Sequence, residues 1–206
     1  MKRVLLICLS LVLALVGGSA ACAADGFYVI GGGKSASVPK TGQTTSYGAR
    51  DDGALQKGVA WPTPRFTDNN NGTVTDNLTK LIWTKNANAF GAKNWPNALT
   101  AANTLASGSA GLTDGSTVGV WRLPNIRELQ SLINYGFYGP ALPNTLGTGQ
   151  WEEGNPFQGV QPFNYWSSNT HPYNAPDAFH VNFCCGSVYY DHKSTSNYVW
   201  CVRAGP

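Results

Sequence analysis

Turn-forming residues cut this chain into pieces too short for any long element, and the pieces between them carry large aromatic rings. The run Phe66-Thr67-Asp68-Asn69-Asn70-Asn71-Gly72-Thr73-Val74-Thr75-Asp76 reads as a turn feeding a short strand, because Asn and Gly tolerate the left-handed backbone of tight turns. Asn77-Leu78-Thr79 then turns the chain back into Lys80-Leu81-Ile82-Trp83-Thr84. Against 24 Gly and 12 Pro stand seven Trp, nine Tyr and eight Phe. A fold made from this chain is therefore built of short elements around bulky anchors.

Two stretches carry helical signals. Asn94 can cap a segment that turns Trp95, Leu99, Ala102 and Leu105 to one side, with Pro96 tolerated in its first turn. Asn125 followed by Glu128 resembles a capping box, and Ile126, Leu129, Leu132 and Ile133 make an apolar stripe. Residues 139–162, rich in Gly and Pro, read as a long irregular excursion, which a domain keeps to bind something or to cover part of its core. Strand-like sequence returns at 165–168, 178–183, 187–190 and 198–203, and the alternation of Phe179, Val181 and Phe183 predicts a half-buried strand. A short opening strand is expected at 27–30. The fold class is a mixed α+β domain with two helices and a small, mainly antiparallel sheet.

The beginning of the chain points to export. Lys2 and Arg3 precede an apolar run over residues 4–16, followed by small residues with Ala21 and Ala23 in an A-x-A pattern. This order predicts a signal peptide over 1–23, since the peptidase accepts only small side chains before its cut. The run is too short to be read as a permanent span. Cys22 offers lipid attachment as an alternative, although Ser19 stands where an apolar residue belongs. The expected location is the periplasm, cell surface or extracellular space. Residues 24–60 then form an arm, either flexible or wrapped onto the domain through Tyr47, Leu55 and Val59, and 61–206 the domain itself.

Without Lys2 and Arg3 the chain keeps twelve basic against eleven acidic residues. No Lys or Arg block remains to track a phosphate backbone, which argues against nucleic acid as a partner. A few clustered cations could still meet an anionic glycan.

The run from Pro64 through Trp83 resembles the opening of the Lcl C-terminal domain family, a module of bacterial exported proteins. The resemblance continues in Trp121-Arg122-Leu123-Pro124-Asn125-Ile126-Arg127-Glu128-Leu129, returns in Tyr165-Trp166-Ser167-Ser168 and ends in Tyr198-Val199-Trp200-Cys201-Val202-Arg203-Ala204-Gly205. It implies a C-type-lectin-like fold, related in shape to formylglycine-generating enzymes and to the variable display proteins of diversity-generating retroelements. Two helices would pack around a small twisted sheet, with long loops and the last hairpins forming a binding face. The family resembles adhesion and recognition modules more than catalysts.

Within that frame Trp83, Trp121, Trp166 and Trp200 read as core anchors, and Arg122 as a partner for Glu128 or for an end-of-chain acceptor. The binding candidates are Tyr173, Asn174, Tyr189, Tyr190, His192, Asn197 and Tyr198, which set hydrogen-bonding groups among rings as recognition loops do. A glycan or a surface protein is the expected partner, held noncovalently, and a homo-oligomer is compatible with the same face. A structural accessory subunit of an envelope assembly is the alternative. Asp68, Asn70 and Asp76 around Gly72 offer oxygens for calcium, but the loop lacks a Glu at its twelfth position, and Asx turns explain the same residues. No other cofactor is expected.

Cys184, Cys185 and Cys201 predict one disulfide and one free thiol in an oxidising compartment. The bridge would join Cys201 to Cys184 or Cys185, or the adjacent pair to each other. An oxidoreductase using these thiols follows only by fold analogy, and His171, His180 and His192 are read as facing solvent on loops or edges. Asn71-Gly72-Thr73 and Asn77-Leu78-Thr79 match glycosylation sequons, a pattern that arises easily by chance. Cys184-Cys185 stands where the family resemblance implies a polar-Gly turn, which together with the Tyr/Asn/Ser-rich tail resembles a diversified retroelement target.

Overall fold

A computed structural model describes residues 38–205. The expected signal peptide, Cys22 and the strand expected at 27–30 lie outside the described residues. In chain order the elements are α1 (Asp52–Leu55), β1 (Phe66–Asp68), β2 (Thr73–Asp76), β3 (Ile82–Thr84), β4 (Ala92–Lys93), α2 (Trp95–Asn103), α3 (Ile126–Ser131), β5 (Asn164–Thr170), β6 (Asp177–Asn182), β7 (Val188–His192), β8 (Asn197–Tyr198) and β9 (Val202–Arg203).

The strands form two sheets where the sequence suggests one. The first has the order β1-β2-β3-β9 and the second β4-β8-β5-β6-β7, all antiparallel except the β5–β8 pair. The second sheet is missed because residues 198–203 look like one strand. In the structure Tyr198 pairs with Tyr165 in one sheet, Val202 pairs with Trp83 in the other, and the intervening Val199-Trp200-Cys201 joins the two.

Adjacent residues on these strands serve opposite cores. Trp83, Tyr165, Trp200 and Val202 face the α3 side, with Phe66, Leu129, Leu132, Phe157 and Phe183. Ile82, Trp166, Val199 and Cys201 face the α2 side, with Ala98, Ala102, Leu105, Trp121 and Leu123. A period of two on a strand covered on both faces leaves no polar side, so apolar pairs such as Ile82-Trp83 and Tyr165-Trp166 sit side by side in the sequence. The same arrangement corrects the half-buried reading of β6. Val181 and Phe183 are buried on one face and Ala178 on the other, while Phe179 is only half-buried.

The aromatic centre is Trp200. Phe157, Trp83, Phe183 and Tyr165 surround it at centroid distances of 4.8, 5.6, 5.5 and 5.5 Å. Six of the seven indoles donate to a protein oxygen, including Trp200 to Thr84 O (2.9 Å), Trp166 to Lys93 O (2.8 Å) and Trp121 to Ser116 Oγ (2.9 Å). Trp83 Nε1 is buried without a partner. A buried indole N–H left unpaired costs free energy, so these bonds fix which oxygen each of the six rings lies beside.

The excursion at 139–162 covers core. Ala141, Leu142, Phe157 and Val160 are buried in it, and Trp151 is partly so. Within residues 38–60, Val59 N donates to Val38 O (2.8 Å) and Lys40 N to Val59 O (3.0 Å), bringing the two ends of the segment together. The segment meets the domain where Tyr135 N donates to Thr41 O (2.9 Å) and Trp61 Nε1 to Lys40 O (3.0 Å). Tyr47, Leu55 and Val59 are exposed, so these contacts do not run through the side chains expected to make them.

Candidate functional site

The WRLP segment is scaffold. Arg122 donates from Nη1 to Glu128 Oε2 and from Nη2 to Glu128 Oε1, both at 2.7 Å, and the Arg122 backbone exchanges two bonds with Val202. Glu128 Oε2 also accepts from Asn125 N (2.7 Å) while Asn125 Oδ1 accepts from Glu128 N (2.9 Å), completing a capping box for α3. Burial pulls the Glu128 carboxyl upward. Its bonds from Arg122 and Asn125, with the Arg122 charge, outweigh that and hold it below the usual carboxylate range.

The three calcium candidates do not come together. Asp76 is fully buried, receiving Arg65 Nε at 3.0 Å and Nη2 at 2.9 Å, together with Leu78 N and Thr79 Oγ1. Asp68 instead pairs with Lys85 Nζ (2.7 Å) and accepts from Asn70 N (2.9 Å) in an Asx turn. Burial raises the Asp68 pKa, but the Lys85 bond, the Asn70 N–H and the Lys85 charge bring it below its ordinary value. Asp68, Asn70 and Lys85 line a cavity of about 400 Å³. Among the described residues no group of three His, Cys, Asp or Glu side chains is placed to hold a metal.

Among the described residues no disulfide is formed, so the expected bridge is not shown. Cys184, Cys185 and Cys201 are free thiols. Cys201 lies buried on the α2 side beside Trp121 and Trp166, whereas Cys184 and Cys185 occupy the β6–β7 turn, next to Phe183 of the opposite core. Burial pushes the Cys201 thiol up to about 12, the reverse of what a reactive thiolate needs.

The binding candidates separate into three groups. Tyr173 (97% exposed), Tyr189 (62%) and Tyr190 (38%) are open to solvent. Tyr189 and Tyr190 stack at 4.9 Å with an interplanar angle of 6°, on the edge strand β7. His171 braces Tyr190 at 4.5 Å, and the loop carrying Tyr173 is tied by Lys193 Nζ, which donates to Thr170 Oγ1 (2.9 Å) and Ala175 O (2.7 Å). Asn174 and His192 serve turns: Asn174 Nδ2 donates to Asp177 Oδ2 (2.9 Å), and His192 Nδ1 lies 2.7 Å from Ser194 Oγ.

Asn197 and Tyr198 face elsewhere. With Phe163, Asn164, Asn182 and Ser196 they line a cavity of about 370 Å³. Asn197 itself is only 6% exposed. His180, expected at the surface, is buried beneath this region, against Trp166. Its Nε2 lies 3.2 Å from Asp191 Oδ2, but the alignment is not that of a hydrogen bond. Burial lowers the His180 pKa and the Asp191 charge opposes the shift without overcoming it. Phe163 has no place among the sequence candidates. Its signal is the Pro162-Phe163-Asn164 junction, where the irregular excursion enters β5 and leaves the ring at the rim.

These features define a class: an aromatic-cored α+β domain with a rigid frame and a polar, tyrosine-bearing face. The family model of the Lcl C-terminal domain matches residues 72–203, and the chain belongs to that family. The match begins within the β1–β2 turn, after the Pro64 to Asn71 part of the recognised opening run. No curated protein matches the chain.

Proposed function

We propose that this chain is an exported recognition or adhesion module on a C-type-lectin-like scaffold, which holds a glycan or a surface protein noncovalently. The observation that carries the reading is the stacked Tyr189–Tyr190 pair on an edge strand, with Tyr173 also exposed on the loop that follows His171. Rings left open to water at a sheet edge are a liability unless they contact something. Tyrosine supplies broad contact area while losing little rotamer freedom. The frame behind them is rigid, being buried on both faces, so binding has little ordering cost to overcome. Export rests on the charge, apolar and small-residue order of residues 1–23.

The test is a screen of the purified protein against glycans and envelope proteins, repeated with Tyr189→Ala and Tyr190→Ala. Loss of affinity by at least about tenfold per ring, with unchanged thermal unfolding, is the expected result. Unaltered binding in both variants would remove the tyrosine face. Loss of a homo-oligomer in the same variants, with no ligand found, would favour an assembly subunit.

A further inference from the structure

Beside the tyrosine face, and sharing none of its residues, is the cavity lined by Phe163, Asn164, Asn182, Ser196, Asn197 and Tyr198. Its polar wall is a fixed chain of amides. Asn182 Nδ2 donates to Asn164 Oδ1 (2.8 Å), Asn164 Nδ2 lies 3.5 Å from Asp191 Oδ2, and Asn197 Nδ2 donates to the same oxygen (2.9 Å). Cys184 N donates to Asn182 Oδ1 (2.8 Å), so that amide cannot turn over without losing a bond. The chain arises from topology: β7 and β8 lie on opposite sides of the β5–β6 pair, so the link at 193–196 must cross them, bringing Asp191 and Asn197 to the amides of β5 and β6.

Each bound amide nitrogen keeps a second N–H. Ser196 and Asn197 line the same cavity, adding hydroxyl and amide oxygens to its wall. The cavity therefore offers fixed donors and acceptors side by side. At the rim Phe163, 57% exposed, and Tyr198 stack at 6.3 Å and 23°, giving a flat apolar flank. No Lys or Arg lines the cavity, and the Asp191 carboxylate, bonded to the Asn197 and Asn164 amides, stands behind its wall.

We infer that this cavity binds a neutral, polyhydroxylated ligand of monosaccharide size, free or as the terminal residue of a glycan. Adjacent hydroxyls both donate and accept, matching an alternating amide and hydroxyl wall. The apolar face of a pyranose ring matches the Phe163–Tyr198 flank. Anions such as phosphate, sulfate or uronate would meet no lining cation and would have the Asp191 carboxylate behind the amides. A volume of about 370 Å³ lies at the small end of ligand sites and suits a single ring. The amides are already held by one another, so little side-chain freedom is lost on binding.

The experiment is a titration of the purified protein with the methyl glycosides of glucose, galactose, mannose and N-acetylglucosamine, followed by amide NMR shifts, with glucuronate and glucose 6-sulfate in parallel. At least one neutral glycoside is expected to saturate with shifts at Asn164, Asn182 and Asn197, and the charged sugars to bind at least about tenfold more weakly. Phe163→Ala, at the exposed rim, and Asn197→Ala should each weaken binding by about tenfold. The amides of Tyr189 and Tyr190 should not shift in the same titration, which separates the cavity from the tyrosine face. Binding of a longer glycan but of no monoglycoside, tighter binding of the charged sugars, or full binding by folded Phe163→Ala would each overturn the assignment.

Discussion

Arg65 shows how much a single residue of this fold carries. Its guanidinium is fully buried, holds both oxygens of Asp76, donates from Nη2 to Ser131 O (2.8 Å), and lies 4.7 Å over the Trp61 ring and 4.8 Å over that of Phe66. A buried pair of this kind adds little net stability, because desolvation offsets attraction, but breaking it strands a charge. Arg65→Met should therefore cost about 3–5 kcal/mol in denaturant unfolding. A loss below about 1 kcal/mol would mean that the change leaves no charge stranded in the core. Nothing in the sequence marked this pair: an Asp in an Asn-rich turn reads as a turn cap or a calcium ligand until a cation is brought to it across the hairpin. The four buried tryptophans were legible because large rings have few other places to go. Asn197 was legible only as polar, and its burial follows from a crossing that sequence order does not display.

At the scale of elements, local chemistry carried through where it was self-contained. Asn125 and Glu128 are three residues apart, so their reciprocal bonds need only a helical turn, and α3 begins where that spacing predicts. Glu128→Gln should lower stability at pH 7 by up to about 1 kcal/mol, a modest figure because the Arg122 side chain is 43% exposed. The sign of its pH dependence follows from the lowered folded pKa. The contribution of Glu128 is complete above its ordinary 4.5 and fades as pH falls through the lower folded value. The difference between the wild-type and Gln proteins should thus shrink on acidification in unfolding curves taken at successive pH values; a constant difference would show that the charge is not what counts. Sheet membership was not self-contained. β8 and β9 are two residues each, and only partners far away in sequence decide that one joins β5 and the other β3.

Across the whole molecule, Trp200 couples parts that would otherwise be separate. It stands between the strand that pairs in one sheet and the strand that pairs in the other, and its ring meets β3, β5, Phe183 and the 139–162 excursion. Trp200→Ala should cost about 3–5 kcal/mol. Hydrogen exchange should report the loss at Trp83 and Tyr165 together, since both sheets pack on the removed ring. Protection lost in one sheet alone would show that the two open independently. The Trp200 indole bonds to Thr84 O across 116 residues of sequence, and this has a bearing on biosynthesis. A ribosome delivers β1, β2 and β3 long before it delivers the ring they pack on, so the emerging chain must hold Trp83 without its central neighbour until residue 200 is made. A product cut short of residue 200 lacks the ring on which Trp83, Phe157, Tyr165 and Phe183 converge.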